Sequence, residues 1–394
     1  MTLGPKLKRL SRDLLYEPSY VARRLGSTAE RLEAIEAGEV EPDAHELAVF
    51  AELFGVSEQS LWVGEVSGDE GEMLRLLFWA RPDRVPLAPR TRAAIARAAG
   101  IARQYTELGH LLSLPDAYQA LRQQYRHEGD YALSGQPWER GEELALHLRA
   151  DLGLGDDPLL SVRRLAVEKL GALIISSDLR SSDIAACSFS SPQTGPTIVT
   201  NAGGKNSRPW RLRFTLAHEL CHLLFDELAQ TSLGAVTRYA DQDEHASDAV
   251  EQRANSFSIT LLAPKQAVRS LLVQAGRRPL GEELRHLMTT FGINFKAARY
   301  RARHIDWAAE ADLSRVEGVD TSEPGDWRHA ELDWLDVYYP CPSIPVDRRG
   351  QFSRRVMQAY TDGAISRGHA IGLLEAAPDD DIDQLAQLVR EIRP

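Results

Sequence analysis

The amino-acid sequence predicts a mainly α-helical protein that encloses a small α+β core. Three observations lead there: apolar residues recur at helical spacing through most of the 394 residues, glycines stand where helices should stop, and one stretch near 171–201 changes to short β-branched segments. A hydrophobic content of 43% with 26% charged residues belongs to a folded globular chain, so disordered, collagen-like and coiled-coil classes fall away. The length implies two or three domains of roughly 100–200 residues each.

Residues 1–66 read as a helical domain, KLKRLSRDLL, SYVARRLG, STAERLEAIEAG and DAHELAVFAELFG, with Gly26, Gly38 and Gly55 placed to close three of the helices. A Gly/Asp/Glu-rich joint at 64–72 follows. Residues 67–137 form a helical connector, dominated by RTRAAIARAAGIARQYTELGHLL and ending in the linker EGDYALSGQPW. The block 138–305 opens with the helix ERGEELALHLRADLG and another around SVRRLAVEKLG; then GALIISS, AACSFS and PTIVTN read as a small sheet. RPWRLRFTLAHELCHLLFDEL is one long helix, with Pro209 near its start and Leu212, Leu216, Leu220 and Leu223 in helical period. Helices are expected over 244–262, 264–275, 280–291 and 294–307. Residues 306–394 begin as a loop rich in Pro and Trp and finish in two or three helices. In that region Trp307, Trp327, Trp334 and the pair Tyr338-Tyr339 read as core aromatics.

The long helix carries His218-Glu219-Leu220-Cys221-His222. Residues four apart share a helix face, so both imidazoles can reach one Zn²⁺ at about 2.0–2.1 Å. Glu219, one step round, stands where a general base would take a proton from water. A catalytic zinc needs a third protein ligand. In DAVEQRANSFSITLLAP, Glu251 and Asn255 are four apart, so Glu251 is the candidate ligand and Asn255 a candidate partner for a ligand histidine. Asp248, a turn earlier, is the alternative ligand. Mn²⁺ or Fe²⁺ would suit the same donor set.

RFTLAHELCHLLFDE followed by EQRANSFSITLLAP resembles the ImmA/IrrE metallopeptidase family, and the similarity extends over roughly 138–305 through GEELALHLRADLGL, AVEKLGALII, PTIVTN and FGINFKAARYRARHI. The resemblance implies a zincin-like zinc peptidase with His218, His222 and Glu251 as ligands and Glu219 as the base. It further implies a protein substrate, a DNA-binding repressor or antitoxin-like partner, cut to control transcription or a stress response. Cys221 departs from the small residue usual there; its helix phase makes it a buried apolar residue. Ser258 replaces the usual alanine. Tyr239, His245 and Arg253 are near enough in sequence to be weighed as oxyanion stabilisers.

The N-terminal pattern SYVARRLGSTAERLEAIEAGEVEP resembles the helix-turn-helix domain of the XRE/Cro repressor family. Gly26 would make the turn, and Ser27, Thr28 and Arg31 would face the bases. Residues 1–66 nevertheless hold seven Lys/Arg against twelve Asp/Glu, a local charge of −5 within a chain of −11, which opposes phosphate contact. A DNA-binding regulator with a sensing peptidase-like domain is the alternative function. Three scattered cysteines, Cys187, Cys221 and Cys341, fit a reducing compartment. With no apolar run of about 18 residues and no apolar leader, a cytoplasmic protein without a membrane span is expected.

Overall fold

The computed structural model describes residues 2–62, 72–79, 86–125, 135–226, 234–242, 248–332 and 339–391. The chain opens with five short helices, α1 (Leu3–Asp13), α2 (Pro18–Arg24), α3 (Ala29–Ala37), α4 (Ala44–Phe54) and α5 (Glu58–Trp62). Gly26, Gly38 and Gly55 follow α2, α3 and α4 at φ of +64°, +79° and +65°, the left-handed conformation that glycine adopts at least cost. A capping box starts α4: Asp43 accepts from the Glu46 amide at 2.8 Å, and Glu46 accepts from the Asp43 amide at 2.9 Å. Helices α6 (Glu72–Trp79), α7 (Pro89–Leu111) and α8 (Ala117–Tyr125) make the connector, and α9 (Pro137–Asp151) leads into α10 (Val162–Arg164), which runs on as a π turn over Leu165–Lys169.

Three expected strands form: β1 (Leu173–Ser177), β2 (Ile184–Ser191) and β3 (Gly195–Asn201). A fourth, β4 (Gly234–Arg238), has no counterpart in the sequence reading. The sheet order is β1-β3-β2-β4, with β1 and β3 parallel and the other pairs antiparallel. Both faces are covered. Ile174 and Ile198 face a core shared with the long helix α11 (Pro209–Phe225) and with α12 (Ala249–Leu262). Leu173, Ile175, Cys187, Phe189 and Val199 join a second core that also takes in the N-terminal helices, α7 and residues 341–386. Covering both faces leaves every residue of β2 and β3 buried, the serines and threonines included.

The rest is helical: α13 (Lys265–Ala275), α14 (Leu280–Phe291), α15 (Phe295–His304), α16 (Glu310–Leu313), α17 (Gly325–Glu331), α18 (Gln351–Thr361), α19 (Arg367–Leu374) and α20 (Ile382–Glu391). Among the described residues no helix is long and apolar enough to cross a membrane. Trp334, Tyr338 and His245 lie outside the described residues.

Gln351 and Glu331 are among the residues that tie the tail to the core. Gln351 of α18 acts as a strand mimic on the free edge of β1, accepting from the Ile174 amide at 2.9 Å and donating to the Ala172 carbonyl at 3.3 Å. Glu331 of α17 pairs with Arg213 in the second turn of α11, both fully buried. The carboxylate also accepts from the Val162 and Arg163 amides at 3.0 and 2.9 Å and from Ser161 Oγ at 3.2 Å. Arg213 also donates to the carbonyls of Leu160 and Gly292 and lies 4.2 Å from the Trp327 ring centroid. A buried ion pair tolerates this position only because its remaining donors and acceptors are satisfied.

Helices α9 and α12 touch at Gly141, where a Cβ would stand 2.1 Å from the Arg253 carbonyl oxygen and 2.8 Å from the Phe257 nitrogen. Gly141→Ala should therefore destabilise the chain by about 2 kcal/mol, overpacking outweighing the roughly 1 kcal/mol of helix propensity that alanine contributes. An unchanged or raised melting temperature would show that the helices are not in backbone contact. Glu331→Ala leaves the Arg213 guanidinium buried without its counter-charge and should cost about 3–5 kcal/mol in urea unfolding; a loss under about 1 kcal/mol would mean water reaches that site.

Candidate metal centre

Pro209 stands in the first turn of α11, where a missing N–H costs nothing, and Leu216, Ala217, Leu220, Cys221 and Leu224 bury one side of the helix. The same helix presents His218, Glu219 and His222, all fully buried. From α12, Glu251 meets them and is 2% exposed.

His218 Nε2 lies 3.0 Å from Glu251 Oε2 and 3.0 Å from His222 Nε2, and His222 Nε2 is 3.7 Å from Glu251 Oε2. Ligands about 2.1 Å from a tetrahedral ion stand roughly 3.4 Å apart, so the three atoms already enclose a cation-sized space. Among the described residues they are the group that could hold a metal ion. The outer nitrogens are also fixed. His218 Nδ1 is 3.1 Å from Asn255 Oδ1, and His222 Nδ1 is 2.6 Å from Asp226 Oδ2. An Nδ1–H given to an oxygen leaves the Nε2 lone pair turned inward, as a ligand requires. The Asn255 amide donates to the Asp241 carbonyl at 2.8 Å, which orients its oxygen toward His218. Asp226 pairs in turn with Arg253 of α12, so the two ligand helices are tied twice. Burial pushes the Glu251 carboxyl upward, but its contacts with His218 and His222 outweigh burial and hold the group far below the usual carboxylate range.

Glu219 faces the sheet. Ser188 Oγ on β2 donates to Glu219 Oε2 at 2.7 Å, while Oε1 is buried and has no hydrogen-bond partner among the described residues. An unsatisfied buried carboxylate oxygen is costly, and at such a place it marks where a further donor is accommodated.

Other sequence candidates fall elsewhere. Asp248 caps α12, accepting from the Val250 amide at 2.8 Å. Cys221 lies in the apolar core, where burial raises its thiol to about 11. Of the weighed oxyanion stabilisers, Arg253 is paired with Asp226, and Tyr239 accepts from the Lys205 amide at 2.6 Å through its hydroxyl. In the N-terminal helices Ser27 precedes α3, Thr28 caps it by accepting from the Arg31 amide at 3.2 Å, and Arg31 grips Glu46 with two bonds of 2.6 and 2.7 Å. Sequence reasoning missed Asp226 and Ser188. Asp226 carries a signal, since it stands four residues after His222 on the same helical line. Ser188 has none, because only the sheet brings it under Glu219.

No curated protein matches the chain. Residues 167–303 match the family model Peptidase_M78, the IrrE N-terminal-like domain. The matched stretch contains β1 to β4, both ligand helices and all of His218, Glu219, His222 and Glu251, so this part of the chain is similar to metallopeptidases of the ImmA/IrrE type.

Proposed function

We propose that the chain is a zinc-dependent metallopeptidase that cuts a specific regulatory protein, a repressor or antitoxin-like partner. The observation that carries the reading is the convergence of two imidazole nitrogens and a carboxylate oxygen within 3.0–3.7 Å, beside a glutamate with one unpartnered oxygen. His218, His222 and Glu251 would hold the ion. When bound, it supplies a Lewis acid that polarises a peptide carbonyl and acidifies water. A two-histidine, one-carboxylate set suits Zn²⁺, and Mn²⁺ or Fe²⁺ accept the same donors.

Glu219 Oε1 takes the proton of the attacking water and returns it to the leaving amine. The Ser188 hydroxyl holds the other oxygen, so the carboxylate keeps one orientation through both transfers. Asn255 and Asp226 hold the imidazoles, and the Asp226–Arg253 pair keeps α11 and α12 in register. The regulatory substrate is supported by the ImmA/IrrE resemblance. DNA recognition through residues 1–66 has less support, since Arg31 is engaged by Glu46 and Thr28 by the start of α3.

Glu219→Gln should keep about one zinc per chain while lowering substrate cleavage by at least roughly 100-fold. The check pairs elemental analysis with gel comparison of cellular proteins exposed to either form. Cleavage that survives in the variant, or zinc that is lost from it, would refute the assignment. Asp226→Asn should weaken zinc binding by about 10–100-fold in competition with a chelator; unchanged affinity would mean that His222 is held without it.

A further inference from the structure

Beside the candidate metal centre lies a cavity of about 290 Å³. Its wall includes Asn255, which bonds His218, and Phe214, whose ring centroid is 6.4 Å from that of His218. Arg211, Lys296 and Arg303 line it as well, and no carboxylate stands among its described lining residues. A second cavity of about 780 Å³ shares Arg211 and Lys296 with the first and adds Lys205 and Arg208, with Glu323 as the acidic residue on its wall. The two form one trough whose described lining holds five cations and one carboxylate, on a chain whose net charge is −11.

The cations are gathered rather than scattered. Lys205 Nζ and the Arg211 guanidinium each lie 5.1 Å from the centroid of the Tyr239 ring, whose π face holds two like charges on one wall. The Tyr239 hydroxyl is fixed on the Lys205 amide. Glu323 accepts from the Trp210 amide at 3.1 Å, and Arg303 shares Glu310 at 3.4 Å. Lys205, Arg208 and Lys296 are exposed. Like charges held together along a concave wall focus a positive potential, and an anionic chain entering the trough relieves their repulsion.

We propose that this trough docks an acidic segment of the protein substrate and leads the adjoining peptide bond to His218, Glu219 and His222. The proposal rests on the peptidase reading, but its test is a binding measurement that needs no cleavage. Rhodamine-labelled decapeptides of alternating glutamate and serine, glutamine and serine, and lysine and serine are titrated against the zinc-loaded Glu219→Gln chain, with a ten-nucleotide oligothymidylate beside them. The glutamate peptide should bind about tenfold or more tighter than the glutamine peptide at low salt, and the difference should shrink as salt is raised. The triple variant Lys205→Glu/Arg208→Glu/Lys296→Glu, which leaves two cations against four carboxylates on the described lining, should reverse the order and favour the lysine peptide, a gain that misfolding cannot produce. Equal affinities for the glutamate and glutamine peptides, or an unreversed order in the triple variant, would overturn the proposal; so would tighter binding of the oligothymidylate, which would assign the trough to nucleic acid. A chain that prefers the acidic peptide yet cuts no protein breaks the peptidase reading alone, and one that cuts without charge preference breaks only this proposal.

Discussion

Two imidazoles and a carboxylate buried within 3.0–3.7 Å of one another form a cluster that water cannot stabilise, and the surrounding architecture is arranged to keep those three groups in place. The helical period of α11 supplies the two histidines on one face. Everything else must bring Glu251 to them. Helix α12 achieves this because Gly141 lets α9 press directly on its backbone, and because Arg253 and Asn255 reach back to Asp226 and His218. At its other end α11 is held by the Arg213–Glu331 pair, which joins it to α10 and α17. The sheet beneath contributes Ser188.

These polar contacts share one physical logic. In a low-dielectric interior each partner strengthens its neighbour, and each unpaired group costs far more than it would in water. His222–Asp226–Arg253 and His218–Asn255–Asp241 are two such chains, each ending on a group that belongs to another segment. Glu219 does not close in this way: one oxygen is satisfied by Ser188 and the other is buried with no hydrogen-bond partner among the described residues. That oxygen is what gives the arrangement room for chemistry.

The sequence carried much of this. Periodicity and glycine stops located the helices well, since Gly26, Gly38 and Gly55 take the left-handed conformation that ends a helix. The i, i+4 rule found His218 with His222 and Glu251 with Asn255, because helix geometry alone decides those pairs. Asp226 stands in the same i, i+4 relation to His222, although the sequence reading passed it over. Strand β4, five residues at a sheet edge, has too short a pattern to read. Ser188 under Glu219, Glu46 on Arg31 and Glu331 on Arg213 are products of tertiary packing, and no local spacing announces them. The same holds for the outer face of the sheet, since an apolar strand reads alike whatever helix covers it. That face packs in one core with α7 and the C-terminal helices.

The acidic balance of the chain also takes on a sharper meaning. The helices that resemble a DNA-reading head are acidic and their Arg31 is engaged, while the cations that do gather line the trough beside His218. All of this turns on whether the trio binds a metal. Titration of the metal-free chain with Co²⁺ answers that directly: coordination by His218, His222 and Glu251 predicts visible d–d absorption of tetrahedral intensity that saturates near about one equivalent and disappears in His222→Ala. Absorption that never rises above that of aqueous Co²⁺, or a spectrum that persists unchanged in His222→Ala, would contradict it.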